Sequence, residues 1–276
     1  MNPTLIIIEK EFRDGLRNKW VLAVTVLLAA LALSLGFLGS APTGSVKVDP
    51  LTVTVVSLSS LSIFLVPLIA MLLSYDAIVG EVERGTMALL LSHPVSRWQV
   101  VVGKFFGHVA ILGLATVAGY GLAGITLQMA HGGVDFSAWM PFVLLIAASI
   151  LLGASFLSVG YLISAVVRER ATAAGIAIGV WLFLVVIYDM ALLGILVADQ
   201  GKTITSSILN VVLLFNPTDV YRLLNLTGYE NVSMFSGMAG LSEQARIPAQ
   251  VLIGAQLLWI AAPFSLAILA FKRRPI

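Results

Sequence analysis

The sequence predicts an all-α membrane protein. Its expected parts are six transmembrane helices, an amphipathic amino-terminal interfacial helix, a short cytoplasmic helix between spans two and three, and a helical outer loop between spans five and six. Three observations predict this class. The 276-residue chain is 59% hydrophobic and only 11% charged, with a mean hydropathy of +1.02, well above that of a soluble domain. Its apolar residues fall in long runs rather than amphipathic stripes, as a chain solvated by hydrocarbon requires. Twelve of the 16 Lys and Arg residues lie in segments that share one side of the bilayer if the span count is even, the asymmetry expected of a polytopic protein.

A run of about 20 apolar residues crosses the roughly 30 Å hydrocarbon core as a helix. Six such runs occupy residues 20–38, 51–73, 105–127, 142–167, 173–198 and 251–271. The first exceeds the roughly 7–15 apolar residues of a secretory signal, so a retained anchor is expected. Lys10, Arg13, Arg17 and Lys19 precede it. Arg84, Arg97 and Lys104 mark the second loop, Arg168 and Arg170 the fourth, and Lys272, Arg273 and Arg274 the tail. This distribution places both termini in the cytoplasm. Lys47 stands alone in the first outer loop, while Lys202, Arg222 and Arg246 are spread over an outer loop at 199–250, long enough to cross regardless of charge.

Composition also excludes function classes. There is no cysteine, so no disulfide, Fe–S cluster or thiolate metal site can form. The basic residues form no dense patch, which argues against nucleic acid. The middles of the runs hold no Asp, Glu, Lys or Arg, and Asp189 lies toward the outer end of the fifth. Ion-coupled carriers need ionisable groups at membrane depth, so that class is disfavoured. His93, His108 and His131 are too dispersed for paired haem ligands. The serines of spans two and four (Ser57, Ser59, Ser60, Ser62; Ser149, Ser155, Ser158, Ser164) are expected to serve close helix packing. No catalytic constellation or cofactor site is present, and Gly103-Lys104 lacks both the first glycine and the following hydroxyl of a P-loop. The chain is read as no enzyme.

Two polar elements remain. In LIIIEKEFRDGLRNKW, Leu5, Ile8, Phe12, Leu16 and Trp20 recur at helical spacing opposite Lys10, Arg13 and Arg17, the pattern of a helix lying on a membrane surface. Glu9 with Arg13 and Lys10 with Asp14 form i,i+4 pairs. In the second loop, Gly80 and Gly85 bracket the charged EVER, so span two is expected to end near Gly80. Thr86 is expected to cap a short helix, MALLL, and Ser96 with Gln99 a capping box that starts span three. Leu89, Leu90 and Leu91 form part of an apolar run that a solvated loop would not keep exposed. In the outer loop, Asn216-Pro217 signals a helix start, with a second helix at ILNVVLLF before it.

The stretch GEVERGTMALLLSHPVSRWQVVVGK resembles the first cytoplasmic loop of ABC-2 type permeases. That pattern is an acidic pair, Arg-Gly-Thr, a leucine run, Pro-Val-Ser-Arg and a Gly-Lys entering the next span. Met87 stands where leucine is commoner. KEFRDGLRNKW resembles the family's interfacial helix, and the likeness continues through FNPTDVYRL at 215–223. The resemblance implies one transmembrane domain over residues 1–276 in the bacterial inner membrane, paired with a second copy of itself and with cytoplasmic ATPases. Glu81, Glu83, Arg84, Gly85, Thr86 and Leu89 to Leu91 would then meet the ATPase, and Phe12, Arg13 and Arg17 would sit on the interfacial helix against lipid. Asn216, Pro217, Asp219, Tyr221 and Arg222 would serve a periplasmic partner. The likeness points to the branch that serves nitrous oxide reductase maturation, so copper or a sulfur species is the expected cargo. The alternative is a mechanical transmitter that moves an outer partner while no solute crosses. Met129, His131, Met140, Met234 and Met238 are soft groups on the outer side, but they read better as packing methionines and one lone histidine. The chain itself is expected to hold no metal.

Overall fold

The computed structural model describes residues 2–17, 19–38, 50–130, 139–199, 205–226 and 247–275, and all regular structure among them is helical. The helices are α1 (Pro3–Arg17), α2 (Lys19–Leu38), α3 (Pro50–Ser74), α4 (Val79–Glu83), α5 (Thr86–Leu91), α6 (Arg97–Ala130), α7 (Trp139–Val166) and α8 (Arg170–Leu182). A π-turn at Phe183–Ile187 joins α8 to α9 (Tyr188–Asp199), and α10 (Ser206–Leu214), α11 (Pro217–Leu226) and α12 (Ala249–Arg273) complete the chain. Lys47, His131, Lys202, Met234, Met238 and Arg246 lie outside the described residues.

Five stretches are long and apolar enough to cross a membrane: Val55–Glu83, Arg97–Thr126, Trp139–Val166, Arg170–Asp199 and Ala249–Arg273. A sixth is counted if Pro3–Arg17 and Val21–Leu35, bent by 65° to one another, are taken as one broken span. Hydropathy locates the apolar stretch of each helix but not its polar ends. Thus α6 starts at Arg97, eight residues before the expected span, and its 34 residues reach about 50 Å.

The bundle is built around α7, which packs on α3, α6 and α12, while α1 and α2 lie along α6. The apolar stretches of α6 and α7 are 61% and 56% buried, against 17% for α8–α9 and 22% for α12, which therefore present apolar faces outward. The α1–α6 contact is unusually close because α6 offers glycines at i,i+4. A methyl group on Gly103 would lie 2.7 Å from Ile7 Cβ, and one on Gly107 2.6 Å from Glu11 Cβ. Small residues at this spacing let helix backbones approach. The inward face of α1 is therefore Ile7, Glu11 and Gly15, while Leu5 and Leu16 of the apolar stripe read from sequence remain exposed.

The serines pack helices as expected. Ser62 Oγ is 2.6 Å from Tyr120 Oη, Ser149 Oγ is 3.1 Å from Tyr221 Oη, and Gln256 Nε2 donates to Ser155 Oγ at 3.0 Å. Ser149, Ser155 and Ser158 also return a hydrogen bond to the carbonyl four residues back, which satisfies hydroxyls in an apolar setting.

Candidate functional site

Two polar constellations stand at opposite ends of the bundle. The first gathers α1, the α3–α6 connection and the start of α8 at the end that carries the amino-terminal helix and the carboxyl tail.

The chain leaves α3 at Ser74, turns through Tyr75–Ile78 and re-enters a helix at Val79, earlier than the break expected near Gly80. The backbone N–H groups of Ile78 and Val79 both donate to Ser164 Oγ of α7, at 2.9 and 3.0 Å. A side chain from another helix thus satisfies donors that a helix start leaves free. One turn on, Glu81 points inward and its Oε1 lies 2.7 Å from Lys104 Nζ. The same ammonium is 2.9 Å from Glu11 Oε1 on α1. All three side chains are buried or nearly so, at 17%, 4% and 11% exposure. His108, one turn along α6 from Lys104, places Nε2 3.7 Å from Glu11 Oε2 and Nδ1 2.8 Å from Tyr161 Oη. One lysine therefore ties the amino-terminal helix to the loop.

Beyond this root the loop projects. Gly85 takes a left-handed φ of 72° and is the N-cap of α5, a conformation that costs any residue with a Cβ. Thr86 is consequently not the cap expected from sequence; it opens the helix and donates its hydroxyl to the Glu81 carbonyl at 3.2 Å. Met87 is fully buried, and Leu90 and Leu91 are half-buried against the core. Glu83, Arg84, Gly85, Thr86 and Leu89 are exposed, Leu89 by 68%. Glu81 therefore faces inward, whereas the other charged members of EVER stand at the surface.

The flank is held by a second set of charges. Arg170 of α8 pairs with Asp76 at 2.8 Å, and its backbone N–H donates to Glu83 Oε1 at 2.7 Å. An open cleft of about 520 Å³ lies alongside, lined by Tyr75, Glu83, Glu169, Arg170, Ala171 and Ala174. Ser96 begins α6 with half a capping box, its N–H and hydroxyl both donating to Gln99 Oε1. Arg97 donates to the carbonyls of Phe271, Lys272 and Arg274, and Arg274 donates to those of Ser164 and Ala165. The carboxyl tail is thereby fastened beside the loop root.

On α1 the expected ion pairs form: Arg13 with Glu9 at 2.6 Å and Lys10 with Asp14 at 3.4 Å. Phe12 is half-buried; Arg13 and Arg17 are exposed. Sequence reasoning missed Glu11, Lys104, Asp76, Ser164 and Arg170. The available signal was Lys104 and His108 one turn apart near the start of an apolar helix, where an unpaired charge would be costly.

The second constellation lies at the far end. Asn216 caps α11: its Oδ1 accepts from Thr218 N at 3.1 Å, and its Nδ2 donates to the Leu184 carbonyl in the π-turn at 2.9 Å. Tyr188 donates to the Val212 carbonyl at 2.7 Å and Trp259 to that of Leu214 at 3.2 Å. Arg222 bridges Asp189 and Asp219. Asn216, Pro217, Asp219 and Tyr221 are buried and Arg222 is half-buried, so this motif is turned into the protein. Phe215, Val211 and Ile208 are the large apolar residues exposed along α10 and its turn into α11, at 66%, 55% and 49%. Met129 and Met140 are exposed at 81% and 65%.

A bundle of five or six long apolar helices with a rooted loop at one end is the architecture of a polytopic membrane protein. Residues 5–275 match the ABC-2 family transporter protein family, and the chain belongs to it: it is an ABC transporter permease. In that family ATP hydrolysis resides in a separate subunit. Two relatives carry the description "Probable ABC transporter permease protein NosY". That of Stutzerimonas stutzeri is 43% identical over 275 residues, covering 99% of each chain. That of Pseudomonas aeruginosa is 43% identical over 271 residues, covering 98% of each.

Proposed function

We propose that the chain is the membrane subunit through which a separate cytoplasmic ATPase, NosF-like, drives transport for nitrous oxide reductase maturation, with copper or a sulfur species as cargo. It works in the bacterial inner membrane with both termini cytoplasmic, paired with a second copy of itself. The observation that carries this reading is the division of the α4–α5 loop into an exposed tip and a tied root. Glu83, Arg84, Gly85, Thr86 and Leu89 are available to the ATPase, and their charges set register more than affinity. Glu81, Leu90 and Leu91 hold the tip to the bundle, so that a push on it reaches α1 and α6 through Lys104. Phe12, Arg13 and Arg17 face lipid, with the two guanidiniums toward phosphate headgroups.

The test exchanges the tip charges, Glu83→Arg with Arg84→Glu, in the reconstituted complex. ATP hydrolysis should persist while ATP-dependent movement of labelled copper or sulfur species is lost. Wild-type coupling in that variant rejects the assignment.

A second reading rests on the outer helices. Asn216 and Thr218 bond to the π-turn carbonyl of Leu184 and Tyr221 to Ser149, giving span movements a direct route to the exposed face of α10. In that reading the chain relays force to a periplasmic partner, NosD-like, and no solute crosses. An ATP-dependent change in that partner without flux in sealed vesicles selects it over transport.

A further inference from the structure

The charged residues of the outer motif face inward, and their arithmetic does not balance. Arg222 donates from Nη1 to Asp219 Oδ1 and from Nη2 to Asp189 Oδ2. One guanidinium thus serves two carboxylates, where the Asp219 side chain is 1% exposed and that of Asp189 17%. The remaining oxygens, Asp189 Oδ1 and Asp219 Oδ2, are buried, and neither has a hydrogen-bond partner among the described residues. Both carboxyls are held by the same guanidinium, which brings them to one place.

No further cation is at hand among the described residues of the surrounding elements. Besides α9, joined to it through Asp189, the helices packed on α11 are α3, α7, α10 and α12, with the π-turn. Along their described lengths these four and the π-turn contain no Asp, Glu or His, and their only Lys and Arg are Lys272 and Arg273 at the far end of α12. Among the described residues, the other titratable group facing the pair is Tyr188 on α9, whose hydroxyl donates to the Val212 carbonyl. Two ionised carboxylates would leave one buried charge uncompensated and two acceptors unsatisfied, each costly. A single hydrogen on one free oxygen, donated to the other, removes all three faults at once. Carboxyl pairs that share a site resolve their repulsion in this way.

We propose that Asp189 and Asp219 bind one proton between them, and that this proton seats α11 against α9 at the end of the bundle away from the chain termini. Burial pushes the Asp219 carboxyl up to about 7; Arg222 pulls it down and Asp189 reinforces the rise. A carboxyl raised in the seated state favours seating at low pH. With a solvated value of 3.8 and a seated value of about 7, seating weakens about tenfold per pH unit between them and levels off above.

The purified permease in lipid nanodiscs supplies the test. Infrared spectroscopy should show a protonated carboxyl band that is present at pH 5, lost by pH 8 with a midpoint above 6, and absent at pH 5 in both Asp189→Asn and Asp219→Asn. Because the chain has no cysteine, spin labels placed at the exposed Met190 and Phe215 report the separation directly. Their distance distribution should broaden from pH 5 to pH 8 in the otherwise native chain and stay narrow at both in Asp219→Asn. A native chain without such a band at pH 6 overturns the proposal, and this arm needs no variant to fold. A band unchanged by both substitutions, or a distribution that ignores pH, does the same.

Discussion

Replacing Lys104 by methionine is the sharpest test of how the loop is rooted. The ammonium lies 2.9 Å from Glu11 and 2.7 Å from Glu81, and its own side chain is 4% exposed. Methionine keeps the length and fills the space, so the loss is almost wholly electrostatic. Removing one partner of a buried pair costs about 3–5 kcal/mol, chiefly because the other charge is stranded. Here two carboxylates are stranded, but at 11% and 17% exposure they can draw in some water, and Lys10 stays 3.2 Å from Glu11. The lower end, about 3 kcal/mol, is therefore expected, equivalent to a fall of roughly 6–12 °C in the unfolding midpoint. The assay is thermal unfolding of the purified permease in detergent, run beside the triple variant Glu11→Gln, Lys104→Met, Glu81→Gln. Removing all three charges together should recover most of the loss, since a neutral replacement of a buried ion cluster is close to neutral in stability. If Lys104→Met melts with the native chain, or the triple variant is no better than the single one, the ion triad does not hold the loop.

Three further outcomes follow from the geometry. Ser164→Ala leaves the buried N–H groups of Ile78 and Val79 without their acceptor and should cost about 2 kcal/mol, read as faster hydrogen exchange over residues 78–83. Gly107→Ala forces a methyl to within 2.6 Å of Glu11 Cβ and should destabilise by about 1–3 kcal/mol. Gly121→Ala, on the same helix with nothing within 4 Å, should be neutral or mildly stabilising, so equal melting shifts in the two variants would reject the close α1–α6 contact. Gly85→Ala should cost about 1 kcal/mol through its positive φ, and Gly85→Asn less; indistinguishable midpoints for both and the native chain would count against that turn.

The spans were legible because a bilayer imposes one rule on every residue that crosses it, and local hydropathy reports that rule. The outer helices were legible for local reasons too: α11 starts at Pro217 where Asn216-Pro217 signals it, and α10, read from its apolar run at 208–215, spans Ser206–Leu214. Sidedness of individual residues was not. Glu81 and Glu83 are two apart in one charged turn, and only the lysine 23 positions later decides which turns inward. Glu11 and Lys104 are 93 residues apart, beyond any local pattern. The stripe through Leu5 and Leu16 was visible on α1, yet the packing face is Ile7, Glu11 and Gly15, which looks polar and small until the glycines of α6 are set against it. The burial of the outer motif was not legible either. A run rich in Asn, Asp, Tyr and Arg reads as surface, and it lies inside because its polar groups answer one another and the π-turn.

That π-turn has a geometric consequence for everything beyond it. A helix advances about 100° per residue, so the one extra residue that a π-turn accommodates resets the azimuth of all that follows. The five residues Phe183–Ile187 thereby dial Asp189 toward α11, though it lies on a helix that elsewhere shows Met190, Ile195 and Val197 outward. Shortening this stretch by a single residue, with no change in composition or hydropathy, would swing Asp189 by more than a quarter turn toward the bilayer and strand Arg222 with one carboxylate. The bearing of a single side chain is thus written in the residue count of an apolar segment.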